Sequence, residues 1–299
     1  MNIMISGGNG FLGRALSDSF LATGDRVDIL TRRQSPNILP GVKSVHWDGK
    51  KINNPSEVFE AVDVVIQLAG KTLASWPWTA SKKIEFLESR VRSGLALVEA
   101  IKIADHKPSL FIQQSGINYY GLEGEPADET TPPGGDYLAS LADRQEEATQ
   151  PVEALGVRRI VTRSAVVLVR RAGMLPLMAM PVALFVGGPV AGGAQAMPWI
   201  HLKDWLAAVR HLIKMDNASG VYNLISPIST TNADFYRALC AQLHKPYWFP
   251  IPAFLLNLIL GEMSVMLVCG RFVSPMRLLD SGFKFHFDRL DLALADIFM

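Results

Sequence analysis

The chain has 299 residues, of which 49% are hydrophobic, enough for one large or two modest domains around a sizeable core. Its net charge is +1 and it contains no long basic or acidic run, so nucleic acid and membrane surfaces are not expected as partners. Cys240 and Cys269 are its only cysteines, which predicts neither a metal centre nor a disulfide framework. Because no charged segment precedes a long apolar run at the N-terminus, we expect no signal peptide and a cytoplasmic protein.

The first predicted unit is a short apolar strand that runs into a glycine-rich turn and then into an amphipathic helix. The spacing is Gly7-x-x-Gly10-x-x-Gly13, and Gly8 also completes the general dinucleotide pattern Gly8-x-Gly10-x-x-Gly13. Gly7 permits backbone dihedrals that a Cβ disfavours, Gly10 lets the backbone approach a pyrophosphate, and Gly13 lets the helix pack closely on the sheet. A helix that starts near Phe11 directs its free N–H groups at the phosphates. An ordinary glycine-rich turn is the alternative.

The end of the second predicted strand indicates which dinucleotide is preferred. This strand ends in Thr31-Arg32-Arg33, whereas Asp28 lies in its middle, too early to contact a ribose. An acidic residue at the strand end would bind the 2′-hydroxyl of NAD, and an arginine suits a 2′-phosphate. Arg32 offers a planar set of donors to such a phosphate. The sequence therefore predicts NADP(H), the alternative being that both arginines are solvated loop charges.

Strand and helix patterns alternate through the first half of the chain. Predicted strands cover residues 63–68, 109–115 and 158–163, and predicted helices cover residues 79–104 and 137–155. Repeated units of this kind predict an α/β fold with a doubly wound parallel sheet. Ligands of such sheets bind beyond the carboxyl ends of the strands. We therefore expect the residues at these ends to line one crevice: Gly7, Ala69, Ser115 and Arg163.

The pattern changes beyond about Ser164. Residues 174–193 have no clean period and predict loops and short helices that form a lid or a substrate-side wall. Further predicted elements are a helix opened by residues 199–204, a strand at 221–224, a helix at 232–244 with Asn232 as N-cap, and a helix at 288–297. We divide the chain into a nucleotide-binding domain over residues 1–165, with a return segment near 195–225, and a smaller α+β substrate-side domain over residues 166–299.

Residues 251–268 are rich in leucine, isoleucine, valine and methionine. Asn257, Glu262 and Ser264 interrupt this stretch, which falls short of a clean membrane-spanning segment. Buried or interface helices around a break at Gly261 are the favoured interpretation, and a membrane-associated segment is the alternative.

Motifs along the whole chain resemble those of the extended short-chain dehydrogenase/reductase superfamily, the group of NAD-dependent epimerases and dehydratases. The matching motifs are the glycine-rich turn, Leu68-Ala69-Gly70, Ser115 followed by Tyr119-Tyr120-Gly121, Tyr137 after Thr131-Pro132-Pro133, and Trp199-Ile200-His201-x-x-Asp204. The ending Pro275-x-Arg277-Leu278-Leu279-x-x-Gly282-Phe283-x-Phe285 is typical of an atypical branch of epimerase family proteins and is the most specific match. The resemblance implies a Rossmann fold of the extended type. It also implies that the helices over residues 79–104 and 137–155 could form the surface of a homodimer, as in the superfamily.

The resemblance and the turn chemistry together assign residues to the cofactor. Asp48 matches the place where superfamily members touch the adenine, with a simple loop carboxylate as the alternative, and Lys71 is expected to face the cofactor. The predicted cofactor-binding residues are Gly7, Gly8, Asn9, Gly10, Phe11, Leu12, Gly13, Thr31, Arg32, Arg33, Asp48, Leu68, Ala69, Gly70, Lys71, Arg90 and Val166.

Catalysis in the superfamily rests on a tyrosine with a lysine four residues later, together with a serine or threonine. Here Tyr137 takes the tyrosine position, Leu141 stands where the lysine belongs, and Gly116 fills the hydroxyl position with Ser115 one residue before it. A tyrosine with a pKa near ~10 is a poor base at neutral pH unless a cation lowers its pKa. The candidate catalytic residues are Tyr137, Tyr120 and Ser115.

Three interpretations of the missing lysine stay open. Tyr137 acts as an acid with help from another cation, or Tyr119 or Tyr120 takes over the proton transfer, or the fold keeps its cofactor without the usual chemistry. The chain is accordingly predicted to be an oxidoreductase or epimerase acting on a small carbonyl or sugar-like substrate. The alternative is a regulatory NADP(H)-binding protein that acts through a partner. For His201 and Asp204 we expect structural roles, Asp204 in helix capping and His201 in buried hydrogen bonding.

Overall fold

A computed structural model of the chain describes residues 1–32 and 39–299, so Arg33, assigned above to the cofactor, lies outside the described residues. The strands are β1 (Asn2–Ser6), β2 (Arg26–Thr31), β3 (Val42–His46), β4 (Val64–Gln67), β5 (Leu110–Gly116), β6 (Arg158–Ser164), β7 (Val166–Leu168), β8 (Trp199–His201) and β9 (Gly220–Leu224).

The helices alternate with these strands in the first half and dominate the second. They are α1 (Phe11–Leu21), α2 (Pro55–Phe59), α3 (Ala80–Ile103), α4 (Tyr137–Glu147), α5 (Leu175–Ala183), α6 (Leu202–Lys214), α7 (Asn232–Gln242), α8 (Ala253–Leu260), α9 (Val265–Val268), α10 (Met276–Asp280) and α11 (Leu290–Phe298). Short 3₁₀ helices cover Ile117–Tyr120, Gln150–Leu155 and Gly261–Ser264.

Seven parallel strands of the described chain form one sheet in the order β3-β2-β1-β4-β5-β6-β9. Side chains alternate across it as the period of a strand requires, so Ile3 and Ile5 face one apolar layer and Met4 the other. The first layer includes Phe20 of α1 and Trp205 of α6, and the second layer includes residues of α3. Both faces are therefore covered by helices, which confirms the predicted doubly wound sheet.

The strand order places a crevice at one edge of this sheet. The chain leaves β1 toward β2 and β3 on one side and returns to β4, β5 and β6 on the other. Ser6 lies opposite Gln67 in the register of β1 and β4, and the strands run parallel, so their carboxyl ends meet at one edge. The reversal of order between β1 and β4 is where open α/β sheets bind ligands.

The structure corrects three predicted element boundaries. The helix predicted over 137–155 ends as α4 at Glu147 and resumes as a 3₁₀ helix, because Pro151 has no N–H to continue the α-helical ladder. Residues 199–204 begin with strand β8, and the helix follows it. Thr231, and not Asn232, caps α7 by accepting a hydrogen bond from the Asp234 N–H.

The second half of the chain divides between a small lobe and the large sheet. In the small lobe β7 pairs with β8, and α5, α7 and α11 share an apolar cluster. Leu278 of α10 and Phe283 after it belong to the core of the large sheet. The Arg277 guanidinium also donates to the carbonyl oxygens of Ser219 and Val221 at the edge strand β9. The predicted domain boundary stays a prediction, and these contacts add a second return segment to the one near 195–225.

The apolar stretch 251–268 folds as α8, a 3₁₀ turn and α9. No residue of α8 is buried, and Leu258 is 81% exposed. Among the residues described, no helix combines the length and the apolar character that crossing a membrane requires.

Candidate functional site

The glycine-rich turn leads directly into the amino end of α1. The Gly10 N–H donates to the Gly7 carbonyl oxygen at 2.9 Å, and α1 begins at Phe11. Gly7 has a φ of +77°, and a Cβ there would lie 2.9 Å from the Ala69 nitrogen. At Gly13 a Cβ would lie 2.5 Å from the Gly8 Cα, so this position tolerates only glycine. The first turn of α1 leaves the N–H groups of residues 11–13 available for an anion.

Contacts with β2 fix the turn against the strand end that the sequence analysis singled out. The Asn9 Nδ2 donates to the Thr31 Oγ1 at 3.2 Å, and a Cβ on Gly8 would lie 2.3 Å from the Ile29 Cγ2. Arg32 follows immediately and is exposed. Arg32 thus extends from the end of β2 next to Thr31, which the turn holds through Asn9. An exposed arginine at this place could bind the 2′-phosphate of NADP(H).

Asp48 lies in an exposed loop after β3. Its Oδ1 accepts the N–H groups of Lys50 and Lys51, each at 2.7 Å. These backbone hydrogen bonds hold the pKa of the Asp48 carboxyl below its usual value. The carboxylate therefore already stabilises a turn, which agrees with the loop alternative, and its contact with an adenine stays a prediction.

The loop after β4 carries Leu68, Ala69 and Gly70 beside the glycine-rich turn. Leu68 and Ala69 are partly buried and pack against the two layers of the core. Lys71 forms an ion pair with Glu85 of α3, so its charge is already compensated.

Arg90 of α3 reaches this loop and has a different environment. A Cβ on Gly70 would lie 3.1 Å from the Arg90 Cγ, and the guanidinium donates to the Phe86 carbonyl oxygen at 3.0 Å. Burial lowers its pKa to about 10. In the part of the chain that the structure describes, no carboxylate forms an ion pair with it. A partly buried cation without a carboxylate beside the phosphate-binding turn is suited to an anion or to a developing negative charge.

Val166 and Leu12 occupy apolar positions near the same edge. Leu12 packs against the core of the sheet from the first turn of α1. Val166 opens β7 just beyond β6 and packs in the small lobe. Their assignment to the cofactor stays a prediction.

Tyr137 is the first residue of α4, whose N-cap Asp136 accepts the Ala139 N–H. Its hydroxyl donates to the Lys83 carbonyl oxygen at 3.0 Å, and its ring meets the Trp78 ring edge-on. Burial raises the pKa of Tyr137 above its ordinary value, although the Arg90 charge opposes the shift. At neutral pH this hydroxyl is therefore protonated and has a proton to donate.

The position of the superfamily lysine is apolar in this protein. Leu141 is 3% exposed and packs with Trp78, Phe86 and Leu138. Cationic side chains reach Tyr137 from α3 instead. The Lys83 Nζ lies 5.0 Å from the centroid of its ring, and the Arg90 charge acts on its hydroxyl. The sequence could not pair them with Tyr137, because the contact depends on the packing of α3 against α4.

Asn118 is a candidate residue that the sequence analysis missed. A Cβ on Gly116 would lie 2.2 Å from the Asn118 Oδ1, and the Asn118 Nδ2 donates to the Leu138 carbonyl oxygen at 2.8 Å. The carboxamide therefore fills the space beside the position where the superfamily carries its hydroxyl. Its hydrogen-bond acceptor, Leu138, is the residue that follows Tyr137 in α4. The sequence feature that could have indicated Asn118 is Gly116, because a glycine there leaves room for a neighbouring side chain.

Ser115 and Tyr120 have other partners. The Ser115 Oγ donates to the Glu146 Oε1 at 2.7 Å, and Glu146 forms a buried ion pair with Arg163 at 2.7 Å. The Tyr120 ring is fully buried, its hydroxyl donates to the Asn223 Oδ1 at 2.8 Å, and burial raises its pKa to about 12. These contacts agree with packing roles and bring neither hydroxyl to Tyr137, so the geometry gives their catalytic assignment no support.

His201 is buried and hydrogen-bonded as expected, but it takes the capping role that was expected for Asp204. His201 caps α6, since its Nδ1 accepts the Lys203 N–H. Asp204 is fully buried and accepts the N–H groups of His286 and Phe287. Asp204 therefore fastens the C-terminal segment to α6, and neither residue lies among those that surround Tyr137.

A cavity of about 560 Å³ opens beside Tyr137, and we call it the Tyr137 cavity. Trp78 and Lys83 line it on the side of α3, and Glu262 and Val265 line it on the side of the segment 257–268. Lys83 and Glu262 form an ion pair that joins these two sides. Part of the stretch 251–268 is therefore a wall of this cavity. The described residues that line this cavity include none of residues 174–193, whose role as a lid or substrate-side wall stays a prediction.

Comparison with known proteins agrees with this architecture. The NAD dependent epimerase/dehydratase family matches residues 3–224, and a domain of unknown function matches residues 251–297. The epimerase family protein YfhF of Bacillus subtilis is 32% identical over 299 residues, covering 99% of this chain and 98% of the relative. The epimerase family protein SDR39U1 of Mus musculus is 33% identical over 307 residues, covering 99% of each chain.

Two solved structures share this fold. The crystal structure of human epimerase family protein SDR39U1 (isoform 2) with NADPH has a TM-score of 0.88 and 29% identity, covering 99% of both chains. The UDP-glucose 4-epimerase of Thermus thermophilus in complex with NAD has a TM-score of 0.76 at 19% identity, covering 100% of this chain and 99% of the other. The latter likeness concerns the fold alone.

Proposed function

Because this chain belongs to the NAD dependent epimerase/dehydratase family, we propose that it is an NADPH-dependent reductase of a carbonyl compound, with Tyr137 as the proton donor. The observation that carries this proposal is the Tyr137 hydroxyl, which lines a cavity, has a raised pKa and interacts with the Arg90 charge. A protonated tyrosine is an acid, which favours reduction. A sugar epimerisation that begins by removing a hydroxyl proton would instead need a base.

The glycine-rich turn fits the pyrophosphate of a dinucleotide, since a Cβ at Gly7 or Gly13 would collide with neighbouring backbone. The exposed Arg32 supports NADPH over NADH, as does the NADPH in the crystal structure of the human relative. When bound, NADPH supplies the hydride that the carbonyl carbon accepts.

The proton comes from the protein. The carbonyl oxygen of the substrate replaces the Lys83 carbonyl oxygen as the acceptor of the Tyr137 hydrogen bond. As the carbon gains its hydride, the O–H bond of Tyr137 breaks and its proton moves to that oxygen. The resulting tyrosinate is stabilised by the Arg90 guanidinium, whose charge lowers the pKa of Tyr137 against the effect of burial. Water then returns a proton to Tyr137.

The cofactor preference can be tested by titrating NADPH and NADH against wild type and Arg32→Ala. We expect the substitution to weaken NADPH binding at least about tenfold, equivalent to ~1.4 kcal/mol, and to leave NADH binding unchanged. Arg26→Ala is the matched control, because Arg26 is exposed at the opposite end of β2. Equal affinities for the two nucleotides, or an Arg32→Ala protein that binds NADPH normally, would contradict the cofactor assignment.

The proton donor can be tested by following NADPH oxidation with a panel of aldehydes and ketones. We expect Tyr137→Phe to lower kcat by about 10²-fold or more, the usual contribution of a general acid, with NADPH affinity retained. Tyr119→Phe serves as the control, since the Tyr119 ring stacks with Arg163 away from the Tyr137 cavity. Turnover that depends on Tyr119 and not on Tyr137 would reverse the assignment. Tight NADPH binding without turnover on the panel would favour the regulatory alternative.

A further inference from the structure

The walls of the Tyr137 cavity are mostly apolar. Trp78 and Leu138 contribute from the nucleotide-binding side, and Val265 and Val268 contribute from α9. The first two belong to the apolar cluster that also buries Leu141. A ligand that fills this space therefore gains mainly from removing apolar surface from water.

The ionisable groups of the walls are already engaged with protein partners. Lys83 is paired with Glu262, and the Asp136 oxygens accept the N–H groups of Ala139 at 2.9 Å and Leu122 at 3.0 Å. Within the described chain the lining thus has one cation against two carboxylates, and no arginine. A diphosphate requires several cationic or N–H donors, whereas the cation of this lining is already paired with Glu262, and the excess carboxylate repels a diphosphate.

The volume by itself does not decide between ligands. The cavity measures about 560 Å³, which lies within the range of roughly 300–1,000 Å³ typical of small-molecule sites. The charge of the lining decides, because transferring two phosphate charges into a mostly apolar and net acidic space is costly.

The cavity adjoins the proposed proton donor, because Tyr137 is one of its lining residues. The loop at Gly70 touches Arg90, Arg90 acts on the Tyr137 hydroxyl, and Tyr137 lines the cavity. A molecule in the cavity therefore lies next to the proton donor Tyr137. Arg90 and the loop at Gly70 lie between Tyr137 and the glycine-rich turn.

We infer that the Tyr137 cavity takes a small, uncharged and largely apolar aldehyde or ketone, and not a nucleoside diphosphate sugar. This inference rests on the proposed function and names its substrate class. Reduction converts the carbonyl to an alcohol, with hydride from NADPH and the proton from Tyr137, so atoms and electrons balance without a further reactant.

The test measures binding and turnover of two probes, acetophenone and UDP-glucose, on the full chain. We expect calorimetry to detect acetophenone and no UDP-glucose at the same concentration. Val265→Trp, which fills the cavity, should weaken acetophenone binding at least tenfold. Leu258→Trp is the matched control, because Leu258 lies on the neighbouring helix, is 81% exposed and does not line the cavity. Leu122→Trp fills the same space from the opposite wall if the first variant fails to fold.

The outcomes separate the two proposals. Tighter binding of UDP-glucose than of acetophenone, lost in the filled variants, would overturn the substrate class while leaving the reductase proposal intact. Failure to bind acetophenone or any other member of the aldehyde and ketone panel would also overturn it. Failure to bind NADPH, measured independently by titration, would instead remove the proposed function.

Discussion

We propose that Arg90 supplies, from α3, the positive charge that the superfamily lysine would place beside Tyr137. Its guanidinium is partly buried, forms no ion pair with a described carboxylate and opposes the rise in the pKa of Tyr137. A charge that favours the ionised form of a neighbouring acid lowers the pKa of that acid. Under this proposal position 141 can be apolar, because the positive charge that acts on Tyr137 comes from Arg90 of α3.

Removing this cation should raise the pKa of Tyr137 further. We expect Arg90→Met to shift the alkaline limb of the pH–rate profile, and the tyrosinate absorbance of Tyr137, to higher pH, with Arg90→Lys restoring part of the shift. Arg92→Met is the control on the same helix, since Arg92 pairs with Glu88 at the surface. An unchanged titration in Arg90→Met would show that this guanidinium has no effect on the phenol.

At the scale of elements, the end of β5 and the start of α4 are joined by one carboxamide. Asn118 lies in the 3₁₀ helix after β5 and donates to the Leu138 carbonyl oxygen of α4. The same side chain occupies the space beside Gly116. A hydroxyl at position 116 and the carboxamide at position 118 therefore exclude each other.

This exclusion predicts coupling between two substitutions. Gly116→Ser should lower the free energy of unfolding by about 1–3 kcal/mol, because the new Cβ displaces Asn118 from its hydrogen bond. The double variant Gly116→Ser with Asn118→Ala should be more stable than the sum of the single changes indicates. Chemical denaturation of the four proteins measures the coupling, and strictly additive effects would contradict it.

The sequence predicts structural elements that a short run of neighbouring residues determines. It does not predict contacts between elements that are far apart in the chain. The turn at Gly7, the strand end at Arg32 and the start of α4 at Tyr137 follow from nearby residues. The contact of Arg90 with Gly70 and its electrostatic interaction with Tyr137 join segments far apart in the chain. They arise only once α3 packs against both, so no spacing in the sequence encodes them.

At the scale of the whole molecule, the C-terminal segment holds the small lobe and the large sheet together. Arg277 binds the edge strand β9 through two carbonyl oxygens, and Asp204 binds the backbone at His286 and Phe287. The sequence marked this ending as its most specific motif. Its position across the sheet edge could not be predicted, because it depends on where β9 lies in the strand order.

We expect His201 to make the attachment of this segment sensitive to pH. The buried imidazole caps α6 through Nδ1, and its Nε2 lies 3.3 Å from the Asp296 Oδ2 of α11. Burial lowers the pKa of His201 below its ordinary value, although Asp296 and Asp204 oppose the shift and Lys203 adds to it. The folded protein therefore binds a proton at this site less readily than the unfolded chain does.

The free energy of unfolding should consequently fall as the pH drops below about 6.5, where the unfolded histidine becomes protonated and the folded one does not. Above that pH both states are neutral and the stabilisation is complete. His201→Asn keeps a capping acceptor but cannot titrate, so we expect urea denaturation to show a shallower loss of stability between about pH 7 and pH 5. Since the depressed carboxyl pKa values, such as that of Asp234, act at lower pH, they do not obscure this window. Identical pH profiles for the two proteins would mean that His201 does not couple protonation to the docking of α11.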